Sequence, residues 1–211
     1  MNELANKTLV MIVGPTAIGK STLMREVVRL DPRFSYVRAF TTRPQRNGEN
    51  SSYIHLSEVE AQTLKDRGEA LTWIEHPTTH FKYGTVIQSF QTTFNLQDTL
   101  ASTVQMYRAL PFARTMTISL MASVESWQEW LQARFPEMND DLRKRLQEGK
   151  DSIEWSLAQT IDHHWLVNRP GQLSETARQV IAIATNRMSQ TAAPQEATKL
   201  LKTIESLLLY K

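Results

Sequence analysis

The sequence predicts an α/β fold in which helices cover a central parallel sheet. Apolar runs alternate with amphipathic helical patterns along the chain, which is typical of parallel strands joined by helical crossovers. The first unit is the clearest, because an apolar run at residues 9–13 leads through a glycine-rich loop into a helix carrying Leu23, Val27 and Leu30. The length of 211 residues is sufficient for one α/β domain with a full core.

The glycine-rich loop fits the pattern G-x-x-x-x-G-K-[ST] at every fixed position. Its glycines allow backbone N–H groups to curl around a polyphosphate, and the helix N-terminus adds partial positive charge. Lys20 would reach the β- and γ-phosphates, and the Ser21 hydroxyl would lie on Mg²⁺. The alternative is a turn before an ordinary helix, but the strand-loop-helix context favours a nucleoside triphosphate site. The residues assigned to this phosphate loop are Gly14, Pro15, Thr16, Ala17, Ile18, Gly19, Lys20, Ser21 and Thr22.

The following third of the chain predicts short elements separated by polar loops. Residues 36–40 form a short extended piece, and an arginine-rich polar loop follows. Ser57 and Glu60 have the spacing of a capping box that opens a helix, and this helix should end near Gly68. Residues 71–75 are predicted as a strand.

The second half predicts further strands and helices in alternation. Residues 83–85 are predicted to form a turn. Two buried strands are predicted at residues 100–104 and 115–120. Ser123 should cap a helix whose Trp127 and Trp130 are interpreted as core rather than ligand contacts. A charged helix is expected from residue 140 and a last strand at residues 165–168.

Composition and charge exclude several classes of partner. The 24 Lys+Arg and 22 Asp+Glu give a formal net charge of +2, which is too balanced for a general nucleic-acid or membrane surface. The absence of cysteine excludes disulfides and thiolate metal sites and fits a reducing compartment. Residues 1–5 lack a signal-peptide pattern, and no apolar run approaches the roughly 18 residues that span a bilayer. We therefore expect a cytoplasmic protein with no nucleic-acid or membrane partner.

The order of the motifs resembles that of guanylate kinases. The phosphate loop is followed by T-T-R-P-Q-R-N-G-E at residues 41–49, then Tyr53, then Y-G-T at residues 83–85, and the resemblance covers residues 8–184. It implies the three-layer fold of P-loop kinases, with a small acceptor-binding subdomain at about 39–96 and a lid at about 131–149. The domain would span residues 1–190.

The resemblance also implies an activity. A guanylate kinase-type enzyme would be an ATP-dependent nucleoside monophosphate kinase that uses ATP as phosphoryl donor with Mg²⁺, and GMP or dGMP as the default acceptor. We expect small-molecule nucleotide substrates and a monomer or homodimer. Residues 191–211 lie beyond the resemblance and predict a helical extension, with an amphipathic helix that packs on the core or joins a second copy or a partner.

Two arginines in the polar loop suit the phosphate of an acceptor. Arg43 and Arg46 are three residues apart, and two guanidinium forks can converge on one phosphate monoester, although a solvated basic loop is the alternative. The resemblance implies that Tyr53 and Tyr83 donate to the same phosphate and that Thr85 keeps a hydroxyl near the base.

The lid and the last strand carry further candidates through the resemblance. Arg134 and Arg145 stand at the lid arginine positions and would act with Lys20 as catalytic residues, with Arg143 as a spare. Without the resemblance, these arginines would be interpreted as an exposed charged helix. Asn168 would lie near the adenine at the end of the last strand.

The base site departs from the family pattern. Thr72 replaces a glutamate, and the D-x-D strand is aligned with residues 101–106, which places Thr103 where a carboxylate is expected. We therefore expect weak selection for guanine. Two other functions stay open: a kinase for another phosphorylated acceptor such as a ribose phosphate, and a non-catalytic module that binds phosphorylated ligands.

Overall fold

The computed structural model describes residues 3–45, 53–76, 79–186 and 194–209. Its central sheet contains the strands β1 (Thr8–Val13), β2 (Phe34–Tyr36), β7 (Phe94–Asp98), β8 (Arg114–Met121) and β9 (His163–Val167). These strands are all parallel and have the order β2-β7-β1-β8-β9. All residues of β1 after Thr8 are buried, as expected for a strand covered by helices on both faces. The predicted α/β fold is confirmed.

A smaller sheet carries the segment expected to bind the acceptor. It has the order β4-β3-β6-β5 and contains β3 (Ala39–Thr41), β4 (Tyr53–His55), β5 (Thr72–Glu75) and β6 (Lys82–Thr85). Helix α2 (Glu58–Asp66) begins at the predicted capping box, in which the Ser57 hydroxyl accepts a bond from the Glu60 amide at 3.2 Å.

The other helices cover the large sheet. They are α1 (Lys20–Leu30), α3 (Val104–Arg108), α4 (Val124–Arg134), α5 (Asp140–Leu157), α6 (Leu173–Ala184) and α7 (Pro194–Leu209). Ser123 caps α4 as predicted, and the Asn139 side chain caps α5 by accepting from the Leu142 amide at 2.8 Å. None of the helices in the described ranges is both long and apolar enough to cross a bilayer.

Two sequence-based predictions of secondary structure were wrong. Residues 83–85 lie in strand β6 and not in a turn. Gly84 is required there because a Cβ atom would lie 2.3 Å from the Thr72 carbonyl oxygen and 2.4 Å from the Phe40 ring. Residues 100–104 form a 3-10 turn at Ala101–Thr103 and the start of α3, whereas the strand is β7.

Helix α7 packs on the core through the face that was predicted to be apolar. Ala197, Leu200 and Ile204 are buried and join the main hydrophobic cluster. The Lys150 ammonium of α5 lies 3.8 Å from a Glu205 carboxylate oxygen of α7. Helix α7 therefore packs against α5, the helix that carries the candidate lid residue Arg145.

Candidate active site

The phosphate loop connects β1 to α1 at the carboxyl end of the sheet. Gly14 has φ +148° and a Cβ atom there would lie 2.5 Å from the Leu120 carbonyl oxygen. Gly19 has φ +97°, and its Cβ would lie 2.5 Å from the Asn168 amide nitrogen. Both fixed glycines of the motif are thus required by backbone conformation and by close neighbours.

The Lys20 ammonium lies over the loop. It donates to the carbonyl oxygens of Gly14 and Pro15 at 2.8 and 3.2 Å. It also lies 3.8 Å from an Asp98 carboxylate oxygen, and the Lys20 side chain is only 16% exposed. The first turn of α1 therefore directs a cation into the same space as the loop amides.

Asp98 is a site residue that the sequence reasoning missed. It ends strand β7 and pairs in register with Ile12 of β1, so it lies beside the start of the phosphate loop. Its side chain is 43% accessible through the cleft. Desolvation raises the pKa of the Asp98 carboxyl above its usual value, and the positive charges of Lys20 and Arg134 offset only part of this rise. A carboxylate is thus present at the end of this strand, contrary to the alignment with residues 101–106.

Thr103 does not take the place of that carboxylate. It lies in the 3-10 turn before α3, where its hydroxyl donates to the Leu100 carbonyl at 2.9 Å and contacts the Thr99 hydroxyl at 2.5 Å. Its assignment to a base-reading strand was wrong, because the strand ends at Asp98.

The candidate lid arginines converge on the phosphate loop. Arg134 at the end of α4 and Arg145 in α5 line a cleft of about 290 Å³ together with the loop and Asp98. Their guanidinium carbons lie 5.4 and 5.8 Å from the centre of the Phe135 ring, which both arginines therefore contact. Arg145 also forms an ion pair with Asp141 at 2.8 Å. Among the described residues, Arg143 is not part of this lining.

The two tryptophans of α4 differ in role. Trp127 is fully buried in the core, as predicted, and its indole N–H donates to the Thr16 carbonyl of the phosphate loop at 2.9 Å. Trp130 packs against the same core but also lines the cleft, so the interpretation as core alone was incomplete.

Asn168 lies behind the phosphate loop. It is 8% exposed and its amide group donates to the Ile18 carbonyl at 3.0 Å. In this position its side-chain donor supports the loop backbone.

The acceptor candidates cluster on the smaller sheet. Arg43 is 9% exposed, and its guanidinium carbon lies 5.9 Å from the centre of the Tyr53 ring. The Tyr53 and Tyr83 rings meet edge to face with centroids 6.0 Å apart. The structure thus brings together Arg43, Tyr53 and Tyr83, while Arg46 lies outside the described residues.

Thr72 and Thr85 form a closed pair. Their hydroxyl oxygens are 2.8 Å apart, and the two residues are 2% and 0% exposed. The Tyr107 side chain of α3 hydrogen-bonds to Thr72, and burial raises the pKa of Tyr107 to about 12. In this arrangement the two threonine hydroxyls bond each other, and the two residues are almost entirely closed to a base.

The donor set suits Mg²⁺ better than a transition metal. The described residues contain no cluster of three or more His, Cys, Asp or Glu side chains that could hold a metal ion. Ser21 and Asp98 instead offer hard oxygen donors in the cleft beside the phosphate loop. Mg²⁺ typically takes few protein ligands and binds largely through phosphates and water, so these residues fit it.

The chain is similar to guanylate kinases in sequence. It is 31% identical over 161 residues to the guanylate kinase of Nostoc sp., covering 72% of this chain and 79% of that protein. The guanylate kinase of Mycobacterium tuberculosis is 31% identical over 147 residues, covering 65% and 70%. That of Corynebacterium efficiens is 25% identical over 188 residues, covering 84% and 95%. No protein-family model matches.

A solved structure shares the fold. The guanylate kinase of Anaplasma phagocytophilum superimposes with a TM-score of 0.54 at 18% sequence identity, and the match covers 88% of each chain. The central sheet with its flanking helices therefore follows a known architecture.

Proposed function

The chain belongs to the guanylate kinase family, and we propose on this basis that it transfers the γ-phosphoryl group of ATP to GMP. One observation carries the proposal at the site itself. Lys20, Asp98, Arg134 and Arg145 come from separate elements and surround a single cleft above the phosphate loop. Cations at such a position suit the charge that develops on a phosphoryl group during transfer.

Lys20 is proposed to bind the donor phosphates. Its ammonium lies over the loop and would exchange the Gly14 and Pro15 carbonyls for the β- and γ-phosphate oxygens of ATP. The loop amides and the N-terminus of α1 supply further donors. The donor is thereby fixed with its γ-phosphate facing the cleft.

Mg²⁺ is proposed to bind beside Ser21, with Asp98 holding its water shell. When bound, the ion neutralises charge on the phosphate oxygens. The charges of Lys20 and Arg134 favour the ionised form of Asp98 and offset part of the rise in its pKa that desolvation causes.

Arg43, Arg46, Tyr53 and Tyr83 are proposed to hold the acceptor phosphate. The support is the placement of Arg43 against the Tyr53 ring and of Tyr53 against Tyr83, on strands β4 and β6 that flank β3. An oxygen of the bound GMP phosphate then attacks the γ-phosphorus, the bond to the β-γ bridging oxygen breaks, and GDP and ADP leave. Arg134 and Arg145 stabilise the charge on the transferred group.

Two other functions are less well supported. A kinase for a phosphorylated sugar and a non-catalytic binding module both fit the weakened base site, but the retained Lys20 and Ser21 favour catalysis. The matched relatives over most of the chain are guanylate kinases.

A coupled assay for ADP release tests the proposal. Purified protein is supplied with Mg²⁺, ATP and each of GMP, dGMP, AMP, CMP, UMP and ribose phosphates. We expect turnover with GMP and loss of turnover in Lys20→Ala, with Lys144→Ala on the exposed face of α5 as the control. Turnover confined to a sugar phosphate, or none with any acceptor, would refute it.

A further inference from the structure

Two side-chain donors hold the phosphate loop from behind. The Trp127 indole N–H donates to the Thr16 carbonyl at 2.9 Å, and the Asn168 amide donates to the Ile18 carbonyl at 3.0 Å. Trp127 is fully buried and Asn168 is 8% exposed, so neither bond competes with bulk water. The two donors come from α4 and from the residue that follows β9.

These bonds determine where the loop amides point. In a trans peptide the C=O of one residue and the N–H of the next are directed oppositely. A Thr16 carbonyl held by Trp127 therefore turns the Ala17 N–H away from the core. In the same way, an Ile18 carbonyl held by Asn168 turns the Gly19 N–H away from β9. Ala17 and Gly19 both line the cleft, so amides turned in this way would face the space where the phosphates of a donor would lie.

The loop needs such support because its backbone is strained. Ala17 has φ +62°, a left-handed conformation that is unfavourable for a non-glycine residue. Gly19 has φ +97° and lies so close to Asn168 that a Cβ atom would meet its amide nitrogen at 2.5 Å. A conformation of this kind persists when surrounding contacts hold it.

Trp127 also links the loop to the lid. It lies on α4, and Arg134 follows seven residues later, which places it two helical turns along the same face. Because Trp127 and Arg134 belong to one helix, the bond from Trp127 to Thr16 also fixes the position of Arg134 relative to the phosphate loop.

We propose that Trp127 and Asn168 are positioning residues for the donor phosphates. They orient the Ala17 and Gly19 amides toward the phosphates, and Trp127 also sets the position of Arg134. This rests on the proposed function, in which the loop binds the donor triphosphate. Neither side chain touches the reacting atoms.

Binding of inorganic pyrophosphate with Mg²⁺ tests the proposal without any turnover. Trp127→Phe keeps an aromatic ring but loses the N–H, and Asn168→Ala loses the amide donor. Calorimetry should give a dissociation constant for pyrophosphate that is raised about three- to tenfold in each, the effect of one neutral hydrogen bond. NMR should show a smaller pyrophosphate-induced shift of the Ala17 amide in the first variant and of the Gly19 amide in the second. KM for GMP should not change.

Two control variants match these changes. Trp165→Phe removes the same volume from the same hydrophobic cluster, and Asn95→Ala removes a buried amide that donates to the Thr92 carbonyl at 2.8 Å, away from the loop. Both should bind pyrophosphate within twofold of the wild type. Equal affinities and amide shifts in test and control variants would overturn the proposal. If Trp127→Phe fails to fold, Asn168→Ala decides alone.

The outcome is separable from that of the proposed function. A wild-type protein that binds pyrophosphate but does not phosphorylate GMP would refute the proposed function and leave the positioning roles standing. If the wild-type protein phosphorylates GMP but the variants bind pyrophosphate as their controls do, the proposed function stands and the positioning roles are refuted.

Discussion

The Asp98 carboxylate at the end of β7 lies 3.8 Å from the ammonium of Lys20, which begins the helix that follows the neighbouring strand β1. The pair is only partly shielded, so its direct attraction contributes little to stability. Its importance is positional, because it holds an anionic oxygen beside the loop where a metal-bound triphosphate would lie.

Asp98→Asn should lower kcat and raise the Mg²⁺ concentration that catalysis requires. The amide keeps the size of the side chain but cannot hold metal-bound water as a carboxylate does, so kcat should fall at least about tenfold, the loss of a charge-assisted contact. Initial rates measured across a Mg²⁺ titration should also show half-saturation at a higher concentration. The exposed Asp66→Asn is the control. An unchanged titration would remove Asp98 from the metal site.

Arg145→Ala should lower kcat and leave both KM values nearly unchanged. Its guanidinium lines the cleft above the phosphate loop, and a donor aimed at transition-state charge is worth about a hundredfold or more. Arg143→Ala on the same helix is the matched control, with an expected effect within about threefold. Steady-state kinetics with ATP and GMP varied separately decide the matter. Equal losses in the two variants would contradict the lid assignment.

Arg43→Ala should impair use of the acceptor and spare the donor. A charge-assisted contact to phosphate is worth roughly 1.5–3 kcal/mol, so kcat/KM for GMP should fall at least tenfold. Arg43→Lys should recover only part of this, because an ammonium cannot donate bidentately. KM for ATP is the internal reference, and Arg38→Ala provides an exposed control. An equal loss in ATP affinity would place Arg43 at the donor site.

His163 should make stability fall as the pH is lowered. It is 2% exposed between Trp155 and Trp165, and its Nε2 lies 2.7 Å from the Ser119 hydroxyl. Burial, then the charges of His164 and Arg108, lower its pKa from 6.5 to about 4. The unfolded chain therefore takes up the proton first as pH falls. The stability that neutral His163 contributes is fully present above pH 6.5. As the pH falls from 6.5 to about 4, the free energy of unfolding decreases by at most about 3 kcal/mol through this group.

Urea unfolding at pH 7.5, 5.5 and 4.5 measures this loss. His163→Phe should show a shallower decline than the wild type, because an aromatic ring fills the site without titrating. His80→Gln, whose side chain is 71% exposed, should retain the wild-type decline. Parallel declines in all three proteins would show that other groups control the acid sensitivity.

The sequence by itself determined the features that depend on local spacing. The glycines and Lys20 of the phosphate loop lie within one strand-loop-helix unit, so the motif alone predicted their position between β1 and α1. The capping box at Ser57 and Glu60 and the cap at Ser123 were likewise read correctly, since a helix cap involves residues three apart. The assignment of arginines to the acceptor site and to the lid depended on the family resemblance.

The tertiary structure alone decided which distant residues complete the site. Asp98 was missed because the strand was predicted at residues 100–104, which are more apolar than β7. Strand β7 alternates polar and apolar residues and was therefore not recognised. No pattern in the sequence indicated that Trp127 and Asn168 donate hydrogen bonds to the phosphate loop. Nor did any pattern indicate that the hydroxyls of Thr72 and Thr85 bond each other. The physical reason is that parallel strands joined by helical crossovers bring their carboxyl ends together from remote parts of the chain. The register that aligns Ile12 with Asp98 is set by packing of the whole sheet and by no local pattern.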